Sequence, residues 1–150
     1  MAAWRSLIVP EKVIILAVED SESDRILLQR AFAREGVSVP VHYVHNGSAA
    51  IDYLQGAGEC QDRQAYPLPS LILLDLNMPG SDGFVVLEWL RARPGLRLEV
   101  MVVVFSSSAD PLVMRRATRL GADIYLQKGQ GPDELVGMVR RLKQLIEKTG

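Results

Sequence analysis

Four short apolar runs each end in a residue able to take part in one reaction. Val13–Val18 runs into Glu19-Asp20, Leu71–Leu74 into Asp75, Val100–Phe105 into Ser106, and Ile124–Leu126 into Gln127-Lys128. Asp75 is followed by the turn-rich Asn77-Met78-Pro79-Gly80-Ser81-Asp82-Gly83. A carboxylate there lies at the carboxyl end of a strand, where open α/β sheets bind ligands. Three carboxylates on adjacent strand ends repel one another unless a cation joins them. Few carboxylates with waters completing an octahedron suit Mg²⁺, with Mn²⁺ as a substitute. Asp20 and Asp75 are the expected direct ligands, with the backbone carbonyl of Asn77 as a third. Glu19 is expected to act mainly through water. With charge neutralised, a phosphoryl group can approach Asp75, which as nucleophile gives an acyl phosphate. Lys128 supplies a point charge for a phosphate oxygen, and Ser106 a hydroxyl donor.

Each residue alone has a plainer role. An acid after an apolar run forms turns, and an acid pair enters helices. A Ser-Ser-Ser stretch is loop, and a single lysine is a solvated surface charge. Their placement at four strand ends, in this order, favours the joint reading.

The elements that must position them alternate. Val13–Val18, Val39–Val44, Leu71–Leu74, Val100–Phe105 and Ile124–Leu126 read as strands. Helices are expected at about 24–35, capped by Ser21 or Ser23 and ended by Gly36, and at 48–54 after Asn46-Gly47. Others run from the Asp82 cap to about Arg93, where Pro94-Gly95 stops the chain, and from Asp110-Pro111 to Leu120-Gly121. The last opens at Gly131-Pro132-Asp133-Glu134 and turns Leu135, Val139, Leu142 and Ile146 inward. Residues 56–69 read as loop. Strands apolar on both faces, alternating with helices, imply a doubly wound five-stranded parallel sheet of order 2-1-3-4-5. That order brings Glu19, Asp20, Asp75, Ser106 and Lys128 into one crevice.

Composition narrows the class. A chain of 150 residues suffices for one packed domain, and 48% hydrophobic with 23% charged residues is ordinary for one. The net charge of −1 gives no field favouring nucleic acid or an anionic membrane. No apolar run approaches the ~18 residues that span a bilayer. One cysteine, Cys60, excludes an internal disulfide and suits a reducing, cytoplasmic setting. His42 and His45 flank the second strand without a ligand pattern, and Trp4 and Trp89 read as packing residues. Residues 1–10 are expected as a leader and 11–150 as the working domain, with no output domain.

Val18-Glu19-Asp20-Ser21, Leu74-Asp75-Leu76-Asn77-Met78-Pro79, Asp82-Gly83, Phe105-Ser106-Ser107 and Tyr125-Leu126-Gln127-Lys128 together resemble the response-regulator receiver domain of two-component signalling. The resemblance spans roughly residues 11–148 and implies a flavodoxin-like fold. It further implies that Asp75 takes phosphate from a histidine kinase and later loses it to water, with no other enzymatic activity. Ser106 and Tyr125 become the switch pair, the hydroxyl moving toward the phosphate while the ring turns inward. Two departures stand out: Gly129 follows Lys128 where the family usually has proline, and serine replaces the commoner threonine at 106. The long segment before the third strand resembles the single-domain regulators paired with phytochrome-type sensor kinases. Arg115, Arg116, Arg119, Arg140, Arg141 and Lys143, with Met114, Met138 and Leu145 near them, mark the face of the fourth helix, fifth strand and fifth helix as a homodimer surface. Two other readings stay open. A haloacid-dehalogenase-type phosphohydrolase would want a second acid where Asn77 stands, and a pseudo-receiver would not keep the full set of five site residues.

Overall fold

A computed structural model of the chain describes residues 13–76, 83–128 and 132–149. Five strands, β1 (Ile15–Val18), β2 (Val41–Val44), β3 (Leu71–Asp75), β4 (Met101–Ser106) and β5 (Ile124–Gln127), form one parallel sheet of order β2-β1-β3-β4-β5. Five helices connect and cover them: α1 (Glu22–Arg34), α2 (Gly47–Gln55), α3 (Gly83–Arg91), α4 (Pro111–Arg119) and α5 (Pro132–Thr149).

Side-chain alternation sorts the strand residues between two cores. Ile15, Ala17, Leu71, Leu73, Met101, Val103 and Phe105 face α1 and α5, meeting Leu28, Phe32, Val139 and Leu142. Leu16, Val18, Ile72, Leu74, Val102 and Val104 face α2, α3 and α4, meeting Tyr53, Leu87, Leu90 and Ala117. Both faces are covered, which is why the strands read as continuous apolar runs.

Local signals set the helix ends. Ser21 Oγ accepts from the Asp24 N–H at 3.3 Å, so Ser21 rather than Ser23 caps α1, which starts at Glu22. Asn46 Oδ1 caps α2 at 2.7 Å, and Asp110 Oδ1 caps α4 at 2.9 Å ahead of Pro111. Three details differ from the sequence expectation. α3 ends at Arg91, ahead of Pro94 as expected, but Pro94 also opens a single helical turn, Pro94–Arg97. The 56–69 segment holds a 3₁₀ turn, Gly58–Gln61, folded onto α2. Arg63 fastens it there, donating to the carbonyls of Tyr53 (2.8 Å), Leu54 (3.0 Å) and Tyr66 (3.2 Å), the first two in the last turn of α2. Met138 is fully buried, so on the proposed dimer face Met114 is the exposed methionine.

At the amino ends of β4 and β5, Arg97 pairs with Asp123 at 2.9 Å and donates to the carbonyls of Val100 (2.9 Å) and Gly121. Asp123 Oδ2 also accepts from the Val102 N–H at 2.8 Å.

Candidate functional site

Strand register decides which side chains meet. Val18 lies beside Leu74, Asp75 beside Phe105, and Ser106 beside Gln127. Glu19, Asp75, Ser106 and Lys128 therefore emerge along one edge of the sheet. Alternation then divides them. Glu19 and Asp75 continue the α1/α5 series, as does Lys128 two residues beyond Leu126. Ser106 and Tyr125 follow Val104 onto the other face.

Among the described residues, the buried polar or charged ones are Glu19, Asp75 and Ser106, all on this edge. Two buried carboxylates are costly unless paired. Lys128 pairs them: its Nζ lies 3.3 Å from Glu19 Oε2, 3.3 Å from Asp75 Oδ2 and 3.2 Å from Asp24 Oδ2. The ammonium also sits 5.1 Å from the centre of the Phe105 ring. Burial pushes the Lys128 pKa down, but Asp75, Glu19 and Asp24 push it up further, and the net shift is upward. Burial, then the charge of Asp75, push Glu19 up to about 8, against the pull of Lys128 and of the Ser21 N–H, which donates to Glu19 Oε1 at 3.2 Å. Burial is the larger cause, and the neighbouring Asp75 carboxylate adds to it.

One carboxylate oxygen from each of Glu19, Asp20 and Asp75 lies within 4.8 Å of the others, with Asp20 exposed and the other two buried. The donors are hard oxygens, with no imidazole or thiolate in the group, and one side opens to water. Such a set fits a small divalent cation that keeps part of its hydration shell.

On the opposite face Ser106 Oγ accepts from the Ser108 N–H at 3.1 Å, and Tyr125 Oη donates to the Ser108 carbonyl at 2.9 Å. The two expected switch residues thus hold the main-chain N–H and carbonyl of one loop residue. The Lys128 N–H donates to the Ser106 carbonyl at 2.6 Å, tying the lysine's own backbone to the end of β4. Across the edge, a Cβ on Gly83 would fall 2.6 Å from the Asp75 carbonyl oxygen, so the start of α3 lies directly on the backbone of the candidate nucleophile.

Glu19, Asp20, Asp75 and Lys128 come together as the sequence reading expected, with Ser106 at the neighbouring strand end. Asn77 and Asp82, Gly129, and residues 1–10, expected as a leader, lie outside the described residues. Asp24 was missed. In the first turn of α1 an acid reads as a helix-dipole residue, and only the fold shows Lys128, far along the chain, reaching it. His42 makes a ring contact with Tyr53 at 5.9 Å and takes no part in the carboxylate site.

With fold and site in place, the comparisons name the class. The profile of the response regulator receiver domain matches residues 15–140, and the chain belongs to that family. It is a response regulator homologous to those of phytochromes. Response regulator Rcp1 of Synechocystis sp. PCC 6803 is 35% identical over 93% of this chain and 92% of its own length. The crystal structure of a response regulator in red light signaling of R. palustris superposes with a TM-score of 0.85 at 31% identity, covering 92% of this chain and 96% of that one. The phosphorylated cyanobacterial phytochrome response regulator RcpA gives 0.81 at 32% identity over the same shares. Rcp1 in its Mn²⁺-bound form gives 0.77 at 32% identity, over 88% of this chain and 92% of its own. Receiver domains of this family are typically signal transducers rather than enzymes. Among the described residues no helix is long and apolar enough to cross a membrane.

Proposed function

We propose that this chain is a phosphorylation-dependent switch whose phosphoacceptor is Asp75 and whose donor is a histidine kinase, of the phytochrome type by its relatives. The observation that carries the reading is the burial of Glu19 and Asp75 against Lys128 at the one edge where the buried polar groups collect. In the transfer, an Asp75 carboxylate oxygen attacks phosphorus. The P–N bond of a phosphohistidine breaks, its imidazole leaves and takes a proton, and an acyl phosphate remains. Hydrolysis of that acyl phosphate by water resets the protein. Lys128 would meet the charge arriving on the phosphoryl oxygens, and Ser106 Oγ would leave the Ser108 N–H to donate to one of them.

Asp20 and Asp75, with the backbone carbonyl of Asn77, would hold Mg²⁺ or Mn²⁺, and Glu19 would reach it through water. Such a cation supplies charge neutralisation at the transferring group. The metal bound to Rcp1 and the phosphorylated state of RcpA support these assignments.

The switch reading rests on Ser108. If Ser106 lets go of the Ser108 N–H, the loop that Tyr125 holds by the same residue loses an anchor, so the ring and the hydroxyl respond together. We place the output on the face of α4, β5 and α5, as a homodimer surface. There Leu112 and Met114 are 70% and 39% exposed beside Arg115 and Arg119. The cytoplasm is the compartment this kinase-coupled role requires; no nucleic acid or membrane partner is invoked.

The deciding experiment treats wild type and Asp75→Asn with acetyl phosphate or phosphoramidate and Mg²⁺, and reads intact mass. One hydroxylamine-labile phosphoryl group in the wild type alone is the expected result. Equal labelling of both proteins would assign the acceptor elsewhere. A monomer mass independent of concentration, with and without phosphorylation, would remove the dimer.

A further inference from the structure

Lys128 has three N–H donors, and three carboxylates stand within reach of them: Asp24 at 3.2 Å and Glu19 and Asp75 at 3.3 Å each. The three acids differ in freedom. The side chains of Glu19 and Asp75 are 1% and 2% exposed, while that of Asp24 is 41% exposed at the mouth of the site. Glu19 is also fixed by the Ser21 N–H. An ammonium can serve an incoming phosphoryl oxygen only if one of its present contacts gives way. Releasing a buried carboxylate takes its cationic partner away in a low-dielectric setting. Releasing Asp24 hands a half-exposed carboxylate to water at small cost.

We propose that Asp24 is a positioning residue that restrains Lys128 in the resting protein, competing with the phosphoryl group for its ammonium and so lowering the ease with which Asp75 is phosphorylated. The inference rests on Asp75 as acceptor and adds a regulator of that same site. Asp24 touches neither donor nor metal in this scheme; it acts through Lys128 alone.

Asp24→Asn keeps the side-chain size and removes the charge. Its place early in α1 tolerates Asn well, and Asp24→Glu keeps the charge as a control. With acetyl phosphate at saturating Mg²⁺, the oxygen–phosphorus bond of the donor breaks, acetate leaves, and the phosphoryl group bonds to an Asp75 oxygen. The rate of that step should rise about two- to fivefold in Asp24→Asn, the factor a half-exposed ion pair converts to. Asp24→Glu should stay within about twofold of wild type. In a Lys128→Gln background the Asp24→Asn gain should vanish. Beryllofluoride binding, followed by tryptophan fluorescence, gives the same comparison at equilibrium if Lys128→Gln takes up phosphate too slowly to time. An unchanged or slower Asp24→Asn protein overturns the proposal. An equal gain with Lys128→Gln also overturns it, because the effect would then be simple repulsion of the donor. Asp75→Asn run alongside stays unlabelled; label appearing there would sink the acceptor assignment and this inference with it, by a separate sign.

Discussion

The two ends of the sheet carry the same kind of interaction with opposite balance. At the amino end of β4 and β5, Arg97 meets Asp123, and Asp123 also accepts the Val102 N–H while Arg97 also serves main-chain carbonyls. One cation meets one anion, and each is further hydrogen-bonded. At the carboxyl end one lysine answers Glu19, Asp24 and Asp75, with Asp20 beside them. The first arrangement is closed and holds the sheet together. The second leaves negative charge uncompensated, a cost that only makes sense where a cation and a charge-changing reaction relieve it. The balance at one end suits stability and that at the other suits the proposed phosphoryl transfer, on strands only a few residues long.

Substitutions at the two ends should therefore differ in sign as well as size. The largest effect is expected from Asp75→Asn: complete loss of acyl-phosphate formation by intact mass, with circular dichroism unchanged and the melting temperature no lower than wild type. Next comes Asp20→Ala, which should raise the Mg²⁺ needed for half-maximal phosphorylation by tenfold or more, ~1.4 kcal/mol or above; an unchanged requirement removes it from the ligand set. Asp123→Ala should cost about 1–3 kcal/mol in urea unfolding, since it strands Arg97 and the Val102 N–H while the pair is only partly shielded from water. The phosphorylated fraction of the folded protein should stay as in wild type. Glu19→Gln should do the reverse, raising the melting temperature in EDTA while weakening Mg²⁺ binding.

The pH dependence sharpens the same contrast. Glu19 is raised from 4.5 to about 8 on folding. Stability from its protonated form is therefore full below about pH 4.5 and is lost as pH rises through 8. In EDTA the melting temperature should fall from pH 6 to pH 9, a drop that Glu19→Gln flattens and that saturating Mg²⁺, favouring the carboxylate, reduces. A slope identical in Glu19→Gln would assign the titration to another group. The Ser106→Ala effect should be smallest on transfer itself: the Asp75 acyl phosphate still forms, while the phosphorylation-dependent change in Tyr125 fluorescence is lost.

The strands and their order were legible because burial on both faces writes itself as unbroken apolar runs, and because the doubly wound topology leaves little choice. Glu19, Asp20, Asp75 and Lys128 were legible for the same reason: each follows a run whose end could be seen. What escaped has no periodicity. Arg63 acts through carbonyls of α2 and of its own segment, and a guanidinium bound to main-chain oxygens leaves no mark in residue type. The turn that Pro94 opens was hidden because a proline following one helix can also begin the next. Asp24 stood where acids are common for another reason, and its partner lies 104 residues away.

Gly83 gives the last consequence a genetic form. With the Asp75 carbonyl 2.6 Å from where its Cβ would be, any larger residue must push the strand end aside. A random-mutagenesis screen scored on signalling would therefore recover Gly83 substitutions beside those of Asp75 and Lys128. The screen would count as reactive a position whose only contribution is the side chain it lacks.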